Sequence, residues 1–307
     1  MSPQPPDPQL VALAGLQGRW SQTADMKKQS YERARQICFV LSILAALLAA
    51  LASQLPEASN GAVDYRLWLS VTSSCMLAVV AVITAQQLST KRMHDWIHSR
   101  AVSEAFKRIA YTYAAQAAPY ELNTTRAHEF SSAVASIMSS LNELAPDPRA
   151  AKTGKTPQKI YASAQEYLLA RPKAQSAHYR TAARKCADRA ARLRSAEFVL
   201  ALVCAVITAA IGVAGKVSLG GEISFDFVAL TGVLTTLSGS ILAYREASRA
   251  DFLSKSFAAA ADELDVLIAA LPNDTPYPGP DWSAFVQKVE NVLATENSAW
   301  LAKMGAP

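Results

Sequence analysis

Four long apolar runs interrupt an otherwise mixed chain. Residues 36–56, 67–90, 198–215 and 227–244 contain no Asp, Glu, Lys or Arg, and are filled with Leu, Val, Ile, Ala and Phe. About 20 apolar residues wound as a helix measure about 30 Å, the thickness of a bilayer core. The pattern therefore predicts four transmembrane helices arranged as two hairpins. The competing expectation is a soluble bundle with buried core helices, which the shorter third and fourth runs leave open. No strand-like alternation of useful length occurs. Nothing breaks the helical pattern over 21–54, 67–117 or 163–212, so the spans should extend into long rods forming a cytoplasmic stalk. The fold class expected is all-α integral membrane.

The second pair of runs repeats the first after about 160 residues. Each copy reads as basic helix, hairpin, charged return helix ending near proline (Pro119 or Pro272), then a shorter amphipathic helix. The stripes of those short helices are Phe130, Val134, Ile137, Met138, Leu141 and Phe285, Val289, Val292, Leu293. Both follow helical spacing from a phenylalanine. The expected division is a disordered N-terminus over 1–17, a first two-span domain over 18–144, a linker over 145–158 and a second two-span domain over 159–307. The linker is set apart by Pro146, Pro148, Gly154 and Pro157, and the closing amphipathic helix spans 281–303 with Asp281 as its N-cap. Each hairpin starts and ends on one side, so the copies run parallel.

Charge orients this arrangement. Of 30 basic residues, 28 fall on one predicted side, and Arg66 and Lys216 fall on the other. By the positive-inside rule both termini and the central segment are cytoplasmic. The connections 57–66 and 216–226 face outward, broken at Pro56, Gly61, Gly215, Gly220 and Gly221. Trp68, Tyr31 and Tyr244 sit where interfacial aromatics are expected. The chain is 51% hydrophobic, and its 18% charged residues compare with about 25% in an average soluble domain. That excludes disorder, and the four cysteines, without CxxC or Cys/His spacing, argue against a disulfide or zinc scaffold. The first apolar run stands behind a long charged segment, so no cleaved signal peptide is expected.

Candidate chemistry is sparse. His94 and His98 share a helix face at i, i+4 but lack the HExxH glutamate; a solvated position suits them better. Gly154-Lys155-Thr156 resembles the end of a phosphate loop, but Arg149 stands where the first glycine belongs, so it reads as linker. Asn123-Thr124-Thr125 is a glycosylation sequon on the wrong side of the membrane. No catalytic set, metal site or cofactor fingerprint presents itself, and an enzyme is not expected. Arg171–Arg194 holds eight basic residues against Asp188. Arg180, Arg184, Lys185, Arg189, Arg192 and Arg194 are candidate contacts for anionic headgroups, or for a nucleotide or acidic partner; otherwise they only fix topology. Tyr179 is the one aromatic in the run, which poorly suits nucleic-acid stacking. The spans hold no ionisable Asp, Glu, Lys, Arg or His, unlike most ion-coupled carriers. Thr231, Thr235 and Ser238 form a polar stripe beside Gly232, Thr236, Gly239 and Ser240. It either packs helices or lines a water path once several chains assemble. Ala45/Ala49 and Ala46/Ala50 are small-xxx-small packing pairs.

Three short motifs carry a family resemblance. Gly18-Arg19-Trp20 precedes a basic helix from Lys27-Lys28 through Tyr31 to Arg35. Tyr167-Leu168-Leu169-Ala170-Arg171 leads to Gln175, Tyr179, Arg180 and Ala183. Phe285, Val286, Val289, Glu290, Glu296 and Trp300 close the chain. The layout resembles the SLATT family, two-span membrane effector domains of bacterial nucleotide-signalling conflict systems, with two domains in tandem. The resemblance implies an antiphage effector that oligomerises and forms a pore or disturbs the bilayer when a partner sensor responds to infection. It transfers no catalytic residues. A non-conducting scaffold that recruits a soluble partner through its cytoplasmic helices is the alternative, and a small-solute carrier is a third.

Overall fold

The computed structural model describes residues 5–55, 64–121, 124–141, 144–214 and 227–305. The described residues are helical with no strand. The helices are α1 (Pro8–Gln54), α2 (Tyr65–Gln87), α3 (Thr90–Ala114), α4 (Arg126–Ser139), α5 (Ala164–Leu168), α6 (Ala174–Ala214), α7 (Phe227–Ser248), α8 (Ala250–Ala270) and α9 (Pro280–Gly305). The hairpin tips at Pro56, Gly61, Gly215, Gly220 and Gly221, and Asn123 of the sequon, lie outside the described residues.

Several expected boundaries move. Residues 8–17 are helix, against the disorder expected of 1–17. Asp7 caps this end, its carboxylate accepting from the Gln9 and Leu10 N–H groups at 2.9 and 3.2 Å. Leu10, Leu13 and Ala14 are buried, so apolar burial outweighs the prolines before them. The stretch 67–117 breaks at residues 88–89, between α2 and α3. The stretch 163–212 contains a π-helical turn at Leu169–Lys173 with Pro172 inside it. Proline lacks an N–H and its ring crowds the carbonyl four residues back; the wider turn accommodates both. Helix α9 starts at Pro280, a favoured first position, and the Ser283 N–H bonds back to the Gly279 carbonyl at 2.9 Å, so Asp281 lies within the first turn.

The chain forms two compact units that cut across the sequence repeat. The first takes residues 1–29, 90–185 and 253–307; the second takes 30–89 and 186–252. The first unit has an aromatic core. Trp282, Tyr167, Phe106 and Trp20 are essentially fully buried. The Trp282 ring meets Tyr167 edge-on at 5.4 Å and Tyr277 at 5.2 Å, and its N–H donates to the Ala115 carbonyl at 2.9 Å. The linker lies along α1. A Cβ at Gly18 would stand 2.0 Å from the Lys152 carbonyl oxygen, and the Gly154 N–H donates to the Ala14 carbonyl at 2.8 Å. Gln22 accepts from the Ala151 and Lys152 N–H groups at 3.0 and 2.9 Å. The Gly154 amide is thereby spent on the Ala14 carbonyl.

The second unit has a core of small residues. On α1 the buried positions Cys38, Ala45 and Ala52 repeat every seven residues. Ala49 is exposed, so the seam follows the heptad and not the expected Ala45/Ala49 pair. The buried Ser73 hydroxyl of α2 donates to the Ala45 carbonyl at 2.8 Å, and the Cys38 thiol sits 3.8 Å from the Thr84 hydroxyl. Small residues let two helix backbones approach closely, and hydroxyls then bond across.

Candidate functional site

Among the described residues, α1 and α2 are long and apolar enough to cross a membrane. Only 17% and 6% of their apolar windows are buried. The remaining charge-free runs form the C-terminal part of α6 and most of α7. Of the 23 exposed large hydrophobic residues among those described, nineteen belong to the second unit. They include Ile37, Leu44 and Leu51 on α1, Leu67, Val79 and Val82 on α2, and Phe198, Leu202 and Val206 on α6. An apolar surface this extensive is foreign to soluble monomers.

The polar stripe of α7 lies away from the buried Val233. Thr235 is exposed, Thr231 and Ser238 are half-buried, and the Thr235 hydroxyl donates to the Thr231 carbonyl at 2.8 Å. Thr236 and Ser240 bond in the same way to Gly232 and Thr236. The Thr235, Thr236 and Ser240 hydroxyls are thus satisfied within their own helix, and the unit's small-residue core is built without Thr235.

The basic run separates into different environments. Arg180 bonds Asp262 at 3.0 Å and Asp265 at 2.6 Å. Arg194 pairs with Asp251 at 3.0 Å. The Arg189 guanidinium donates to the Tyr244 hydroxyl, and Arg35 lies 5.1 Å over that same ring. Arg245 pairs with Glu197 beside the exposed Phe198. Arg184, Lys185 and Arg192 have exposed side chains on α6. His94 and His98 are exposed, with ring centroids 6.2 Å apart, and no group of three metal-ligating residues occurs among the described ones.

The short motifs of the second half converge in the first unit. Arg171, on the π turn, makes a bidentate bond to Glu290 of α9 at 2.9 Å on both arms, with side chains 4% and 2% exposed. Tyr167 donates to the same carboxylate at 3.4 Å, and Arg171 stacks 4.3 Å over Tyr111. Tyr179 of α6 donates to Glu296 of α9 at 3.2 Å. Burial pulls the Arg171 pKa down, but the Glu290 carboxylate outweighs it and raises the net value; burial also pushes the Tyr167 hydroxyl well up. Arg171 is therefore charged and the tyrosine neutral. Glu290 and Glu296 were legible as carboxylates only; that Glu290 shares a helix face with Val286 and Leu293 signals burial, but not the partner. Trp300 lies outside the described side chains.

The apolar stripe of α9 is occupied. Val286 and Val289 are fully buried, and Phe285, Val292 and Leu293 nearly so. Deleting 280–307 would therefore dismantle the first unit's core.

Residues 167–300 match the family described as SMODS and SLOG-associating 2TM effector domain 1. Residues 18–128 match a second family, described as protein of unknown function (DUF4231). No curated protein and no solved structure matches the chain.

Proposed function

With SLATT-type domains in tandem as the premise, we propose that this chain is a four-span effector of a bacterial antiphage or conflict system. It sits in the inner membrane with both termini and the central segment in the cytoplasm. On a cytoplasmic signal, from a sensor protein or a nucleotide-signalling partner, it oligomerises or rearranges and permeabilises the bilayer. The observation that carries this reading is the segregation of exposed apolar side chains onto the unit that holds all four charge-free runs. Water disfavours such a surface at about 25 cal/mol per Å², and hydrocarbon does not. The positive charge supports the orientation, with Arg184, Lys185 and Arg192 able to meet anionic headgroups.

The test is expression with the activating partner in cells loaded with a membrane-potential dye. Loss of potential and dye entry are expected; intact membranes under full activation refute the reading. A narrower prediction concerns the stripe on α7. Replacing Thr231, Thr235 and Ser238 together by Leu should abolish conductance in planar bilayers while crosslinked assemblies persist. Conductance that survives assigns these residues to packing.

A further inference from the structure

Both sequence copies break the helix that leaves the hairpin, and they break it at the same place. In the first copy α2 ends at Gln87 and α3 begins at Thr90. In the second, α7 ends at Ser248 and α8 begins at Ala250. Thr90 and Ala250 stand about 160 residues apart, the same spacing as Gln54 and Ala214, the ends of α1 and α6. The breaks therefore fall at equivalent positions of the repeat. The helices that enter the hairpins differ. Helix α1 runs unbroken over Pro8–Gln54 and α6 over Ala174–Ala214.

Neither break is forced by glycine or proline. The residues are Leu88 and Ser89 in one copy, Ser248 and Arg249 in the other. Leucine and arginine are good helix formers, and serine is only mildly unfavourable. At the first break the Leu88 N–H still reaches the Thr84 carbonyl at 3.2 Å, so the helical ladder is intact up to the residue where it stops. At the second, Arg249 stands at φ 49°, in the left-handed region that a Cβ disfavours. Its N–H turns to the Glu246 carbonyl three residues back at 3.2 Å, and the Ser248 hydroxyl donates to the Arg245 carbonyl at 2.7 Å. Returning these few residues to right-handed helical angles would rejoin the two halves. A continuous helix is thus a close alternative at both places. Strained backbone clusters at switch regions, and hinges are a few residues at the ends of elements, small or not. The same break with different residues belongs to the repeat's architecture, not to a local breaker.

We propose that residues 88–89 and 248–249 are a matched pair of hinges, at which the helix leaving each hairpin passes between a broken and a continuous form while α1 and α6 stay unbroken rods. The hinges stand on the backbone alone. That their movement is the step that opens the bilayer rests on the effector reading. Helices α2 and α7 are placed for that step, since each carries a charge-free run directly before its hinge.

Pulsed electron–electron resonance on the full chain in lipid nanodiscs reads each break, with spin labels attached through unnatural amino acids at exposed positions. The pairs are Val79 with His98 across the first break, Leu242 with Val266 across the second, and Val11 with Val40 within α1. A continuous helix sets these pairs about 29, 36 and 44 Å apart. Each pair across a break should give two populations, one at the continuous-helix distance and one shorter, whereas α1 should give one. Arg249→Gly removes the Cβ from the left-handed residue and should enrich the shorter population at the second break roughly tenfold, leaving the first unchanged. Ser89→Ala should enrich the continuous population at the first break about twofold. A single distance across both breaks in wild type and variants alike means fixed corners and overturns the proposal. So does a distribution within α1 as broad as those across the breaks. Vesicle leakage separates the two readings: populations that shift without any change in leak support the hinges and count against the effector role, whereas leak with one fixed distance overturns the hinges alone.

Discussion

Arg171 and Glu290 meet with neither charge open to water, and their pairing depends on both being present. Arg171→Met leaves the Glu290 carboxylate buried without its cation and should cost about 3–5 kcal/mol. Replacing both residues by Met should recover much of that, since a packed apolar pair avoids desolvating two charges. Denaturant unfolding of the full chain in detergent, followed by tryptophan fluorescence, measures both. Two other carboxylates respond to pH in opposite directions. Burial raises the Glu296 pKa above 4.5, opposed by Arg100 and the Tyr179 hydrogen bond. The folded state then holds this proton to higher pH than the unfolded chain, so stability should increase as pH falls from neutral toward 4.5. Glu296→Gln should flatten that slope. The Ser176 hydroxyl and then Arg180 lower the Asp265 pKa below 3.8. Its contribution is present above 3.8 and is lost as pH falls through the lower folded value. Thermal melts across pH 3–8 of wild type, Glu296→Gln and Asp265→Asn separate the two windows.

Helix α1 serves both units along its own length. Its N-terminal part carries the linker against Gly18, and its C-terminal part carries the small-residue seam at Cys38, Ala45 and Ala52. Gly18→Ala places a methyl carbon where the Lys152 carbonyl and the Gly154 backbone already lie. The backbone there cannot yield as a flexible side chain would, so a loss of about 1–3 kcal/mol is expected. Limited trypsinolysis should show faster cleavage after Lys152 and Lys155, and unchanged cleavage would mean that the linker is held elsewhere. In the seam, Ser73→Ala removes one interhelical hydrogen bond and should cost only about 0.6 kcal/mol. Ala45→Leu forces the helices apart and should do far more. The unbroken helix expected over 163–212 takes no account of Pro172, and a proline in a helical pattern can end a helix or kink it. The surrounding packing, with Arg171 and Pro172 both buried, selects the wider turn.

At the scale of the molecule, the polar and apolar surfaces are divided between two units. If Leu202 of α6 faces lipid, Leu202→Arg should reduce membrane insertion, at a cost of about 2.5–3.5 kcal/mol near a helix centre. Carbonate extraction and a reporter fused after residue 307 would read insertion and orientation together. The same change at the buried Leu264 of α8 should unfold the first unit without removing the protein from the membrane.

The apolar runs, the uneven placement of the basic residues and the all-helical class were legible in the sequence, because each is written in local composition and short-range spacing. What only the tertiary structure decided is pairing over distance. Arg171 meets Glu290 across 119 residues, Trp282 bonds Ala115 across 167, and the linker comes back onto α1. The two sequence repeats are therefore not the two compact bodies. Each repeat leaves apolar and ionic faces on its non-spanning helices that are satisfied only when segments of both copies pack into one core, and no pattern within a single helix records which distant face will cover it.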